Sequence, residues 1–159
     1  LALAFGLVAI LLFVTYRRIS TTLVALAPIA LTVATLLGFL AVSGIQLNLL
    51  TAIASSIVIG VGIDYAIHLI AALEHAREEG VDRVRHALRT AGRPILANAL
   101  GVPVGLSALF LSPLKPHGQI AAIMWVAMVT AAMTTLVLIP ALMPRGKALA
   151  AAANGAKES

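Results

Sequence analysis

Apolar runs suited to crossing a lipid bilayer recur five times along this chain, over residues 1–15, 21–43, 47–73, 94–111 and 119–143, each bounded by charges or turn residues. A helix needs about 20 apolar residues to cross ~30 Å of hydrocarbon at ~1.5 Å per residue. The first run falls short and is expected to continue upstream of Leu1. No run sustains the two-residue alternation of a transmembrane barrel. The expected fold class is therefore an all-α membrane protein, a five-helix transmembrane bundle over residues 1–145. Composition points the same way: 61% of residues are hydrophobic and 11% charged, against about half and about a quarter in a soluble domain. Water could not accommodate that much apolar surface.

Five spans put the two termini on opposite sides, so the loops can be tested for excess positive charge on the cytoplasmic side. One set of loops and ends holds Arg17, Arg18, Arg77, Arg83, Arg85, Arg89, Arg93, Arg145, Lys147 and Lys157; the other holds only Lys115. That asymmetry predicts an N-terminus outside and a C-terminus in the cytoplasm. The same distribution explains the net charge of +5 without nucleic acid, which would require a basic face with stacking aromatics. There are no cysteines, which excludes disulfides and cysteine-ligated metals. The histidines show no metal-ligand spacing and the serines no hydrolytic partners, so neither an enzyme nor a cofactor is expected. The chain starts at Leu1 without the basic and small-residue features of a signal peptide, and is expected to be part of a longer polypeptide.

Residues 74–93 form the one sizeable polar stretch. In it Val81, Val84, Leu88 and Ala91 recur at helical spacing among arginines, as in an amphipathic helix on the inner membrane face or in a solvated helical linker. Residues 146–159 are expected to be a disordered cytoplasmic tail. Pro28, Pro103 and Pro140 fall in or near the ends of spans, where each removes a backbone hydrogen bond. Gly101 and Gly105 flank Pro103 one turn apart, a spacing that suits close helix approach or a hinge.

Of the six acidic residues, only Asp64 lies inside an apolar run, slightly to the cytoplasmic side of its midpoint. An ionised carboxylate there costs about 2.5–3.5 kcal/mol on insertion scales. Desolvation favours the neutral acid, and a nearby cation or water favours the ionised one. A carboxyl held between those pressures can take and release protons, as a relay requires. Ala52, Ser56, Gly60, Asp64, His68 and Ala72 follow at four-residue intervals, forming a stripe of small and polar groups. Ile57, Ile59, Ile63, Ile67 and Ile70 lie off it. The expectation is that the stripe, with Asp64, faces other helices while the isoleucines face lipid or pack. His68 lies one turn from Asp64, and Tyr65 points about 100° away. Gly60 and Gly62 are expected to admit a neighbouring backbone or water beside the acid. Asn98, the other strongly polar group within a span, is a candidate partner for Asp64.

The element Gly60-Val61-Gly62-Ile63-Asp64-Tyr65-Ala66-Ile67-His68, the stretch closing in Thr90-Ala91-Gly92-Arg93-Pro94 and the ending Leu138-Ile139-Pro140-Ala141-Leu142 together resemble the RND superfamily, specifically its MMPL-like exporters. The resemblance covers nearly the whole chain. It implies one transmembrane half, the C-terminal one fitting better, of a transporter in the bacterial inner membrane. It also implies that proton relay falls on Asp64 and Tyr65, joined by His68, with Ser56, Gly60, Gly62 and Asn98 packing around them. The implied partners are membrane lipids, a hydrophobic or lipid cargo such as a hopanoid or long-chain lipid conjugate, the other half, and an extracytoplasmic porter domain. Oligomers are compatible with this picture. Two classes share the architecture: SecD/SecF protein-translocation factors, which fit the Tyr and His positions less well, and sterol-sensing domains, which bind rather than pump.

Overall fold

The computed structural model describes residues 2–16, 19–46, 48–78 and 82–142; the expected tail at 146–159 lies outside the described residues. They form helices α1 (Ala2–Tyr16), α2 (Ile19–Ser43), α3 (Leu49–Glu78), α4 (Arg83–Ala87), α5 (Arg93–Leu106) and α6 (Lys115–Leu142). A π-helical turn, Leu88–Gly92, joins α4 to α5, and a 3-10 turn, Ser107–Leu111, closes α5. No strand occurs among the described residues. The protein is an all-α membrane bundle. Thr21–Ser43, Leu49–Ala76, Val84–Leu111 and Lys115–Leu142 are long and apolar enough to cross a membrane. Helix α1, with 15 residues, covers only about 22 Å at ~1.5 Å per residue.

Local chemistry sets the helix ends. Gly44, at φ 66°, stops α2 in the left-handed conformation that glycine adopts without steric cost. Asn48 and Thr51 open α3 reciprocally: the Thr51 N–H donates to Asn48 Oδ1 at 3.0 Å, and the Asn48 N–H donates to Thr51 Oγ1 at 2.8 Å.

Helix α6 is the hub, packing against α2, α3 and α5. Its buried face carries Ala121, Ala127, Ala131 and Ala132 between larger residues such as Met128 and Ile139, and small side chains let helix axes approach. One apolar cluster joins Ile29, Ala66, Leu69, Ile95, Ala131 and Ile139. A second, towards the start of α6, joins Leu36, Val58 and Ile123. Large apolar groups on the outer surface, including Ile10 and Leu23, suit contact with lipid.

A polar tie crosses from α2 to α6. Thr32 donates to the Pro28 carbonyl at 2.8 Å and Thr134 to the Thr130 carbonyl at 2.7 Å, while the two hydroxyl oxygens lie 3.3 Å apart. Each hydroxyl has one proton, so the contact between helices competes with the contacts within them. Thr134→Val is accordingly expected to cost only about 0.6 kcal/mol, the average for such bonds within membranes. Thermal unfolding in detergent would measure it.

The polar stretch at 74–93 is not a separate element. Helix α3 continues to Glu78, and helix resumes at Arg83 and runs through the π-turn into α5. Ala87 and Ala91 are buried in the main cluster and Val84 packs against it, so the apolar side of this stretch meets the bundle. The π-turn has a cause in sequence: Pro94 has no N–H for the Thr90 carbonyl, and its ring clashes with that carbonyl in an α-helix. Opening the preceding turn relieves both.

Gly101 and Gly105 have open space where a Cβ would stand, so among the described residues no helix uses the close approach they permit. Beyond them, the Trp125 indole N–H donates to Ser107 Oγ at 2.9 Å, and Ser107 donates to the Pro103 carbonyl at 2.9 Å. That chain of bonds fastens the end of α5 to α6.

Candidate functional site

The stripe on α3 lies on the uncovered side of the helix. Ala52, Ser56, Gly60, Asp64 and His68 are exposed and Ala72 is half-buried, whereas Ile59 and Ile70 are buried in the core. Within this chain the stripe is thus left uncovered, unlike the expected facing towards other helices, while Ile59 and Ile70 pack, one of the two placements expected for them. The reason is the wide apolar surface that α3 must bury. Val58, Ile59, Ala66, Leu69, Ile70 and Leu73 cover that side, and a carboxylate among them would lack the hydrogen bonds that a buried charge requires.

Asp64 opens instead into a cleft of about 500 Å³. Helix α3 contributes Asp64, Tyr65 and His68, and the opposite wall contributes Thr90 from the π-turn and Pro94 and Asn98 from α5. Ala72, Ala91 and Ile95 complete the lining. The cleft thus combines polar groups with an apolar wall. Thr90, Pro94 and Asn98 recur at four-residue intervals, which places them along one side of the helix.

Tyr65 is 2% exposed, and its hydroxyl has no hydrogen-bond partner. The Asn98 side chain approaches that hydroxyl closely enough to interact but outside hydrogen-bond geometry. Asn98 thus faces the tyrosine, whereas the sequence had suggested the aspartate as its partner. Thr90 is otherwise engaged, its hydroxyl donating to the His86 carbonyl.

Other expected site residues stand apart from the cleft lining. Ser56 lies two turns from Asp64 and donates to the Ala52 carbonyl at 3.0 Å. A Cβ at Gly60 would meet open space, and one at Gly62 would sit 3.8 Å from Ile29 Cγ1. Among the described residues no neighbouring backbone lies within 4 Å of a Cβ at either glycine. Gly62 is buried where α3 packs on α2. No group of three or more His, Asp or Glu suited to a metal occurs among the described residues.

The roles of Thr90 and Pro94 as cleft lining escaped sequence reasoning. Their spacing to Asn98 was a usable signal, but only folding shows that this side of α5 lies across the cleft from α3.

The family model for the MMPL family matches residues 1–153. The chain belongs to the MMPL family. Among its relatives, it is 29% identical over 144 residues to the putative membrane protein MJ1562 of Methanocaldococcus jannaschii, an alignment covering 87% of this chain and 37% of that protein. It is 31% identical over 144 residues to the probable transport protein MmpL12 of Mycobacterium tuberculosis, covering 86% of this chain and 12% of that protein. The chain therefore spans about a third of one relative and about an eighth of the other. No solved structure matches it. As an MMPL protein with several apolar spans, it is a multi-pass membrane protein.

Proposed function

We propose that this MMPL chain is one transmembrane half, the C-terminal one, of a proton-driven exporter of lipids or other hydrophobic molecules in a bacterial inner membrane. The observation that carries the reading is the cleft itself: a carboxylate midway along a membrane helix, open to a polar-lined space, beside a buried tyrosine.

The physical reasoning has three steps. An ion on the outer surface of this bundle, at membrane depth, costs several kcal/mol unless protein or water covers it. Cover from the other half of the transporter would turn the open side of α3 into an internal, water-accessible site. There Asp64 would load and release a proton, Tyr65 would take part in the transfer, and His68, one turn nearer the cytoplasm, would receive the proton on its way in. A porter domain outside the membrane would select the cargo. The relative described as a probable transport protein supports transport. An acid within a membrane helix supports ion coupling over the passive binding of a sterol sensor.

The reading is tested with the full-length protein reconstituted in vesicles. An inward proton gradient is expected to drive proton flux that a protonophore collapses. Saturable lipid binding with no gradient-linked flux would contradict it and favour a sensor.

A further inference from the structure

The buried Tyr65 hydroxyl has no hydrogen-bond partner among the described residues, and the Asn98 amide lines the same cleft. A buried hydroxyl left unsatisfied costs about 1–3 kcal/mol, so a small movement that supplies a partner is favoured. Two polar side chains face it from the other wall of the cleft, Thr90 and Asn98. Thr90 has already given its one proton to the His86 carbonyl, so it can accept from the tyrosine but has no second proton for the carboxylate. Asn98 remains, and a carboxamide accepts at its oxygen while donating from its nitrogen. It can therefore serve two groups at once. Asp64 lines the same cleft, and its ionised carboxylate is an acceptor only.

The π-turn governs where Asn98 points. Closing its hydrogen bonds over one residue more than an α-turn, it alters the rotation of everything beyond it; a return to α geometry would swing Asn98 by roughly 100° relative to α4. Pro94 opposes that return because it has no N–H to close the α-turn. The fold thus holds Asn98 towards α3.

We propose that Asn98 is a positioning residue that bridges the Tyr65 hydroxyl and the Asp64 carboxylate when α3 and α5 close on the cleft. Asn98 Oδ1 accepts from the tyrosine O–H, and Nδ2 donates to the carboxylate. The inference rests on the proton-coupling reading of Asp64. The ionisable groups lining the cleft, Asp64, Tyr65 and His68, all come from α3, and the opposing wall adds none among the described residues.

The test uses the full-length transporter in proteoliposomes with an imposed proton gradient and an entrapped pH-sensitive dye. Asn98→Leu keeps the size and removes the amide, Asn98→Gln keeps the amide, and Tyr65→Phe removes the hydroxyl. Asn98→Leu and Tyr65→Phe are each expected to slow flux about tenfold, the scale of one hydrogen bond to a charged group. Asn98→Leu is also expected to change the pH profile of flux, because the carboxylate loses a donor. The double variant should be no slower than the slower single one, and Asn98→Gln should recover most of the rate and the original profile. An unchanged rate and profile in Asn98→Leu, a double variant that multiplies the two losses, or a glutamine as poor as leucine overturns the bridge. Asp64→Asn separates the two ideas. Flux that survives it removes the proton reading itself, whereas flux lost in Asp64→Asn but intact in Asn98→Leu removes the bridge alone.

Discussion

Asp64→Asn in the full-length transporter is expected to abolish gradient-dependent export while leaving the amount of folded protein unchanged. Asparagine has nearly the same shape, and Asp64 is exposed on this bundle, so the substitution disturbs no packing in this chain. What it removes is the ability to carry a proton. A proton crossing the full membrane potential supplies about 2.3 kcal/mol per 100 mV, worth roughly 50-fold in a transport ratio at tenfold per ~1.4 kcal/mol. Export measured with and without an imposed gradient should differ strongly for the parent and not at all for the variant. Gradient-driven export equal to the parent's would sink the proposal.

Ala131→Leu is expected to be the more damaging change to the fold. Ala131 is 1% exposed, on the helix that packs against three others, within the cluster that also holds Tyr65, Ala66 and Leu69 of α3. Adding a branched side chain there forces helices apart or drives side chains from their preferred rotamers, at about 1–3 kcal/mol. Met133→Leu provides the contrast, because Met133 is 56% exposed and the swap conserves volume. Unfolding in detergent should show a lowered transition for Ala131→Leu and little change for Met133→Leu. Equal transitions would mean that the alanine face of α6 is not closely packed. The effect also reaches the site, since the helix carrying Asp64 packs against α6.

Much of the helix layout was legible in the sequence because hydropathy is a property of each segment. The runs at 21–43, 47–73 and 119–143 correspond closely to α2, α3 and α6. Charge marked the polar stretch at 74–93 but misled about its structure. Glu74 and Glu78 read as the start of a surface segment, whereas both still belong to α3, which runs to Glu78. The π-turn was signalled by Pro94, although a proline alone does not distinguish a widened turn from a helix end.

The facing of the helices was less legible. Four-residue spacing identified the Asp64 stripe correctly as one side of α3, but periodicity cannot say which side is covered. Around α3 both sides carry apolar or small residues, so the pattern lacks the one-sided contrast that orients a helix in water. Asn98 illustrates the same limit: its polarity marked it for attention, and only the placing of α5 across the cleft from α3 shows that it shares a lining with Tyr65 instead of standing alone.

By itself the sequence determined that this is an all-α membrane protein, where its main spans lie, and that Asp64 is its one acid inside an apolar run. Those properties follow from local composition and from the cost of placing backbone and charge in hydrocarbon. The tertiary structure alone decided that α6 is the hub, that the stripe is left uncovered, that Tyr65 is buried beside an exposed Asp64, and that Asn98 lines the same cleft as both. These depend on which surfaces of distant segments fit together, and in a chain apolar on nearly every side that choice is made by shape and small-residue contact.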